Sequence, residues 1–453
     1  MTGEAGRPLV RQLSVVALCL GVVGALVAPF SGAEARGPVV AFSFRSVTKM
    51  PFGTTEGESA VVGGRVFLFG GFDATNQTSI TPTDRAFRFD PGTEQWSFLA
   101  AMPERGVSHA GIATDGSRSI YYAGGYAMNA SGTGQVYGTT HGFRYDVVTN
   151  SYSRLPDLPA ARAAGGLAYV GGQLFYFGGA NLARTYDATD VWSLDVAHGA
   201  TAWVARAAMP NGRNHLGWGV IGGRIYVVGG QHGTSGADPQ AELDVYDPGT
   251  NAWRVLAPMP EARSHEMDST FVMNGKLVAA GGWTQQVSGA VTAYDPATNR
   301  WESWSDLPEK RTSTTVRAFS ATQYLFCCGS AGGSTQSTWI ATRRGAPPVV
   351  HAAPRITFIR AVPSTVRSSA AGRAVIRVRL TRSARTTVVL QRCTTTWRCS
   401  GSVLRRVVTL HSGSSSPTVR SLTGRATLPA ARYVVGLTPR GGHGVGARLF
   451  VRP

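Results

Sequence analysis

Apolar residues in this chain come in short runs that end in paired glycines, and the runs recur about every 50 residues. They read VFLFGG (66–71), IYYAGG (120–125), LFYFGG (174–179), IYVVGG (225–230) and LVAAGG (277–282), with YLFCCGS (324–330) as a degenerate sixth copy. Runs this short, broken by Gly, Asp, Asn and Pro, predict many short strands and disfavour helices and membrane spans. A second marker is an aromatic residue seven positions before a proline: Phe44 and Pro51, Trp96 and Pro103, Tyr152 and Pro159, Trp203 and Pro210, Trp253 and Pro260, Trp301 and Pro308. Between the markers lie turns such as YDPGTNAW (246–253) and YDPATNRW (294–301), where Asp-Pro and Thr-Asn separate the two strands of a hairpin. Both markers count to six.

A double glycine followed by a spaced Tyr and Trp resembles the kelch repeat, and the resemblance covers roughly residues 40–343. It implies an all-β fold, a six-bladed propeller over 38–343 whose four-stranded blades pack radially around a channel. Phe44–Pro51 precedes the first double glycine, and nothing of its kind follows the sixth. The N-terminal strand, about 40–48, is therefore expected to complete the last blade beside Ser337–Thr342, removing two sheet edges.

Beyond a proline-stiffened linker at 344–353 the pattern changes to strict alternation, as in AVIRVRL (374–380), TTVVLQR (386–392), VLRRVVTL (403–410) and RYVVGL (432–437). Strands of this kind bury one face, and about seven of them fit residues 354–453 as a small Ig-like β-sandwich. LPAARYVVGL resembles the end of Ig-like repeats in exported actinobacterial proteins. Cys393 and Cys399 are spaced as a disulfide staple of a hairpin, whereas the adjacent Cys327 and Cys328 read as small buried hydrophobes on opposite faces of a strand.

Charge sharpens the boundary. Net charge is +18, and residues 354–453 hold eighteen arginines with no Asp or Glu, so the remaining 26 basic residues balance 26 acidic ones upstream. Such a domain would favour an anionic envelope polymer, and without aromatic platforms nucleic acid is not expected. The preference for Arg over Lys, with abundant Ala and Gly, points to a GC-rich bacterial genome. Residues 1–35 read as a secretory signal peptide: Arg7 and Arg11, an apolar stretch Leu13–Ala28, and a cleavage site after Ala35, the alternative being an uncleaved anchor. An exported protein, extracellular or held at the cell surface, is expected.

The loops after the marker prolines carry a recurring arginine, at Arg105, Arg162, Arg213, Arg263 and Arg311, followed in three cases by His109, His215 and His265. Placed at the channel mouth, the guanidinium groups would grip the carboxylates of an acidic peptide, protein or glycan. Similar arginines lie at binding sites in kelch propellers, so the resemblance supports ligand binding; a purely structural role within the blades is the alternative. The polar loops 72–84 and 126–141 would add specificity. Galactose-oxidase-like proteins share the domain order, but their copper site needs a cysteine crosslinked to a tyrosine. Here no cysteine lies between Ala35 and Cys327. A mutarotase-like enzyme would need an acid/base pair, for which His265, Glu266 and Asp268 are candidates, although neighbours on a strand alternate in direction. No metal site or cofactor is expected from Cys/His spacing. The sequence reads as a non-catalytic recognition or adhesion protein, with a carbohydrate-active enzyme as the alternative.

Overall fold

The computed structural model describes residues 39–73, 81–136, 138–233, 236 and 238–345. In the C-terminal part it describes 356–362, 365–367, 375–380, 384–393, 399–410, 413–415, 417–418, 428, 431–439 and 445–452. The signal peptide, most of the linker and part of the loop 72–84 lie outside the described residues. Among them no helix is long and apolar enough to cross a membrane.

Between Phe42 and Arg343 the described strands form six four-stranded antiparallel sheets. The first comprises Glu58–Val62, Arg65–Phe69, Ala86–Asp90 and Gln95–Phe98, and the next four repeat this meander. The sixth takes Thr315–Ala318, Gln323–Cys327 and Thr338–Arg343 from its own repeat and Phe42–Ser46 from the N-terminal end. Phe42 pairs with Arg343 and Ser46 with Trp339, the strand pairing expected from the order of the markers. The first strand of each sheet lies against that of the next, and the strand starting at Thr315 meets the one starting at Glu58.

The aromatic markers fasten one sheet to the one before it. Trp96 Nε1 donates to Thr48 O (3.2 Å), Tyr152 Oη to Ala100 O (2.9 Å), Trp203 Nε1 to Pro156 O (3.0 Å), Trp253 Nε1 to Ala207 O (2.9 Å) and Trp301 Nε1 to Ala257 O (3.0 Å). Each acceptor stands three residues before the marker proline of the preceding repeat. The turn asparagines complete the clasp. Asn251, in left-handed conformation, accepts from Tyr246 Oη at 2.7 Å and from Ala207 N–H at 2.9 Å through one side-chain oxygen. The aromatic rings thus bury apolar area while their polar ends are satisfied by backbone.

A buried network joins the seam between the sixth and first sheets. Arg317 reaches Asp268 Oδ1 (2.6 Å), Ser59 O (3.1 Å) and Thr270 O (2.8 Å). Asp268 Oδ1 also accepts from Ser59 N–H (2.6 Å) and Oγ (2.7 Å), and its other oxygen bonds Thr315.

The C-terminal strands form a three-stranded sheet, Ile356–Val362, Val375–Leu380 and Gly413–Ser415, and a five-stranded one. The latter comprises Thr365–Arg367, Val445–Arg452, Ala431–Pro439, Ala384–Cys393 and Cys399–Leu410. Ile376 and Val378 are buried around an exposed Arg377, and Tyr433, Val435 and Leu437 are buried at every second position with Val434 half-buried between the first two. Cys393 and Cys399 form a disulfide, and Cys327 and Cys328 are buried free thiols.

Candidate functional site

Each of the six repeats places one residue at an equivalent point, five residues after its marker proline, or six after Pro103: Glu56, His109, Ala164, His215, His265 and Ser313. All six adopt φ between 51° and 58°, a left-handed conformation uncommon for side-chain-bearing residues. They are tied head to tail where the sheets meet: His109 N–H donates to Glu56 O (3.3 Å), Ala164 N–H to His109 O (2.9 Å) and His215 N–H to Ala164 O (2.9 Å). Ser313 Oγ bonds the Glu56 carboxylate across the seam.

The double glycines make this geometry possible. The second glycine of each pair presses on the carbonyl just before the ring position. A Cβ on Gly125 would lie 2.5 Å from Ser108 O, and one on Gly230 2.7 Å from Asn214 O. Both glycines also hold φ near 100° and 94°.

Five of the six ring residues, all but Ala164, line a cleft of about 740 Å³. Phe72, Tyr126 and Trp283 supply aromatic surface, and Asp73 and Arg184 supply charge. His109 Nε2 meets Glu56 Oε2 at 3.0 Å. The His109 and His215 rings lie 5.0 Å apart and those of His215 and His265 4.4 Å. Behind the rings, each Nδ1 touches the preceding side chain: Ser108 Oγ at 3.0 Å, Asn214 Oδ1, and Ser264 Oγ at 2.9 Å. Burial alone would raise the Glu56 carboxyl, but the His109 imidazole, with His265 and His215 beyond it, holds it below the usual carboxylate range. Burial, then the neighbouring His265 and His109, push His215 well below the ordinary histidine value; burial also lowers His265. One carboxylate therefore serves three convergent imidazoles.

The KLHDC2/KLHL20/DRC7 kelch-repeats domain model matches residues 108–329, and a kelch motif model matches 55–103. Residues 55–329 are kelch repeats. Kelch-like protein terF of Aspergillus terreus is 30% identical over 238 residues, 51% of this chain and 50% of that protein. A kelch repeat-containing protein of Arabidopsis thaliana is 25% identical, over 54% of this chain and 60% of its own length. Alpha-scruin of Limulus polyphemus is 25% identical over 47% of this chain and 23% of its own. The chain thus spans about half the length of the first of these relatives and less than two thirds of each. The solved structure of YjhT superposes with a TM-score of 0.52 and 17% identity, covering 64% of this chain and 95% of that one, which shows the kelch propeller fold.

Within the kelch repeats the arginines are not where a ligand clamp requires them. Arg213 and Arg263 have no exposed surface, and Arg162 and Arg311 are buried at 5% and 3%. Each holds its own repeat together. Arg213 donates to Gly229 O (3.0 Å) and pairs with Glu242 and Asp244. Arg263 donates to Gly281 O (3.2 Å) and Ala290 O (2.8 Å). Arg311 reaches Cys328 O (2.8 Å) and Arg162 reaches Asp190 (2.5 Å). Arg213, Arg263 and Arg311 thus clamp the carbonyl at the first position of the glycine pair, inside the sheet rather than at the cleft. Arg105 lies in a one-residue-longer loop, where Val107 takes the corresponding place; it sits in a 3₁₀ turn beside Met128.

The three histidines do face the cleft, and Glu56 joins them. The signal for Glu56 was its spacing from Pro51, masked because its repeat has threonine where four of the others have arginine. Of the acid/base candidates only His265 lines the cleft. Glu266 is fully buried, 3.5 Å from Arg263, and Asp268 belongs to the seam. These residues lie before the strand that starts at Thr270, so the left-handed backbone at His265 and the turn at 267–269, rather than alternation along a strand, separate them.

Proposed function

We propose that the six sheets are the blades of a closed kelch propeller whose task is recognition, with a peptide or glycan chain seated in the cleft built on the ring of six equivalent residues. The observation that carries this reading is the cleft itself. It gathers aromatic and charged side chains from loops of different repeats around one opening, the usual makeup of a binding site. Arg184 and the histidines, not the buried arginines, line the cleft. The basic C-terminal strands would form an Ig-like module held to an anionic envelope polymer after export.

Binding of the full chain to peptide and glycan arrays, compared with Tyr126→Ala and Trp283→Ala, tests the cleft. Loss of the wild-type signal in both variants is expected. Equal binding by all three would overturn the assignment. For the C-terminal part, retention on anionic wall polymer should fall steeply between 50 mM and 500 mM salt (about a threefold fall in screening length); salt-insensitive retention would contradict it.

A further inference from the structure

We propose that Glu56, His109 and His215, with His265 beside them, form a binding site for a divalent transition-metal ion, zinc by preference, opening on the cleft. One ligand atom from each of Glu56, His109 and His215 lies within 4.8 Å of the other two, and Glu56 Oε2 is 3.0 Å from His109 Nε2. Tetrahedral zinc with bonds near 2.0–2.1 Å needs ligand atoms about 3.4 Å apart, so small side-chain rotations suffice. Two imidazoles and a carboxylate are a donor set of borderline softness that suits zinc rather than calcium or magnesium.

The hydrogen bond behind the His215 ring shows that this histidine presents a lone pair inward. Asn214 Nδ2 donates to Gly233 O (2.7 Å) and to the Asp187 carboxylate, which fixes the amide orientation. Its Oδ1 therefore faces His215 Nδ1, which must donate, and Nε2 is left as the acceptor. The Ser108 and Ser264 hydroxyls, which can donate or accept, back His109 and His265, and His109 Nε2, which donates to the Glu56 carboxylate, carries a proton that zinc would displace. An outer partner on the second ring nitrogen is what orients and tunes metal-binding histidines. A histidine–carboxylate pair kept only for stability would need one imidazole against Glu56. Here three rings from three repeats converge on it, two of them about 5% exposed.

The ligands come from segments that already meet in the ring, so the site is preformed by the fold. Three protein ligands leave one coordination position towards the cleft, the arrangement of open rather than closed zinc sites.

The untagged full chain, stripped with chelator, is titrated with zinc alone by calorimetry and by equilibrium dialysis with elemental analysis. One zinc per chain with micromolar or tighter affinity is expected. His109→Gln with His215→Gln should weaken binding about 100-fold or more, and Glu56→Gln about 10-fold or more. His198→Ala, a surface histidine paired with Asp195, should change nothing. Circular dichroism checks that the variants fold. Cobalt substituted into the wild type needs no variant: an intense visible band of four- or five-coordinate cobalt is expected. Absence of stoichiometric zinc, undiminished binding by the double variant, or a weak octahedral cobalt spectrum would each overturn the proposal. A failed peptide or glycan screen would leave these readouts untouched, so the two readings fail separately.

Discussion

Replacing Arg317 with Met probes the seam between the sixth sheet and the first. Met retains most of the aliphatic stem, so the loss is chiefly that of the guanidinium. Asp268, 5% exposed, then faces the interior without its charge partner, and Ser59 O and Thr270 O each lose a donor. Removing one member of a buried ion pair costs about 3–5 kcal/mol, and total stabilities run at about 5–15 kcal/mol, so about a fifth or more of the stability should vanish. Burial already raises Asp268 above the usual carboxylate range while Arg317 opposes that rise. Without the arginine the folded-state value climbs further. A carboxyl whose folded pKa exceeds its unfolded value, about 3.9, loses stability as pH rises from that value towards the folded one. The deficit should therefore be larger at pH 8 than at pH 5. Urea unfolding followed by tryptophan fluorescence at both pH values measures it. Asp268→Asn combined with Arg317→Met should cost less than the sum of the single changes by about 1 kcal/mol or more. A deficit below about 1 kcal/mol, or one independent of pH, would refute the reasoning.

Trp253→Phe keeps a ring in the sheet interface but deletes the 2.9 Å bond to Ala207 O; a loss of about 1–2 kcal/mol in urea unfolding is expected, and none would mean the clasp is incidental. Glu266 is pushed up to about 7, first by burial and against the opposing pull of Arg263. Its folded value exceeds its unfolded one, so wild-type stability should decline from about pH 4.5 to about pH 7, and Glu266→Gln should make that decline shallower in thermal melts across the range. An unchanged slope would assign the decline to other groups.

Strand positions, the sixfold count and the closing partner of the N-terminal strand were legible because they rest on local chemistry. Glycine pairs and the aromatic–proline spacing are imposed within one repeat, and repetition multiplies the signal. The disulfide followed from spacing within one hairpin. What was not legible was which way a conserved-looking arginine turns within its repeat. Arg213 and Arg263 occupy the same sequence position that a ligand clamp would, and only the placement of Glu242, Asp244 and the glycine-pair carbonyls shows that their charge is neutralised inside. Glu56 escaped notice for the converse reason. Its neighbours in sequence give no hint of chemistry, and its partners His109 and His215 lie one and three repeats away.

That contrast explains how one loop serves both stability and recognition. In the fourth repeat Arg213, Asn214 and His215 are consecutive, yet they point to three tasks: Arg213 locks the glycine pair, Asn214 sets the imidazole tautomer, and His215 reaches the cleft. The left-handed turn at His215 separates the clamp from the ring residue, and Gly230 leaves room for that turn. Ring residues can therefore vary from Glu to His, Ala or Ser without disturbing the sheets, since what holds each loop lies two residues earlier. A repeat built this way fixes a backbone circle first and leaves its side chains free to define the chemistry of the opening, which is why the site draws on several repeats and no single one reveals it.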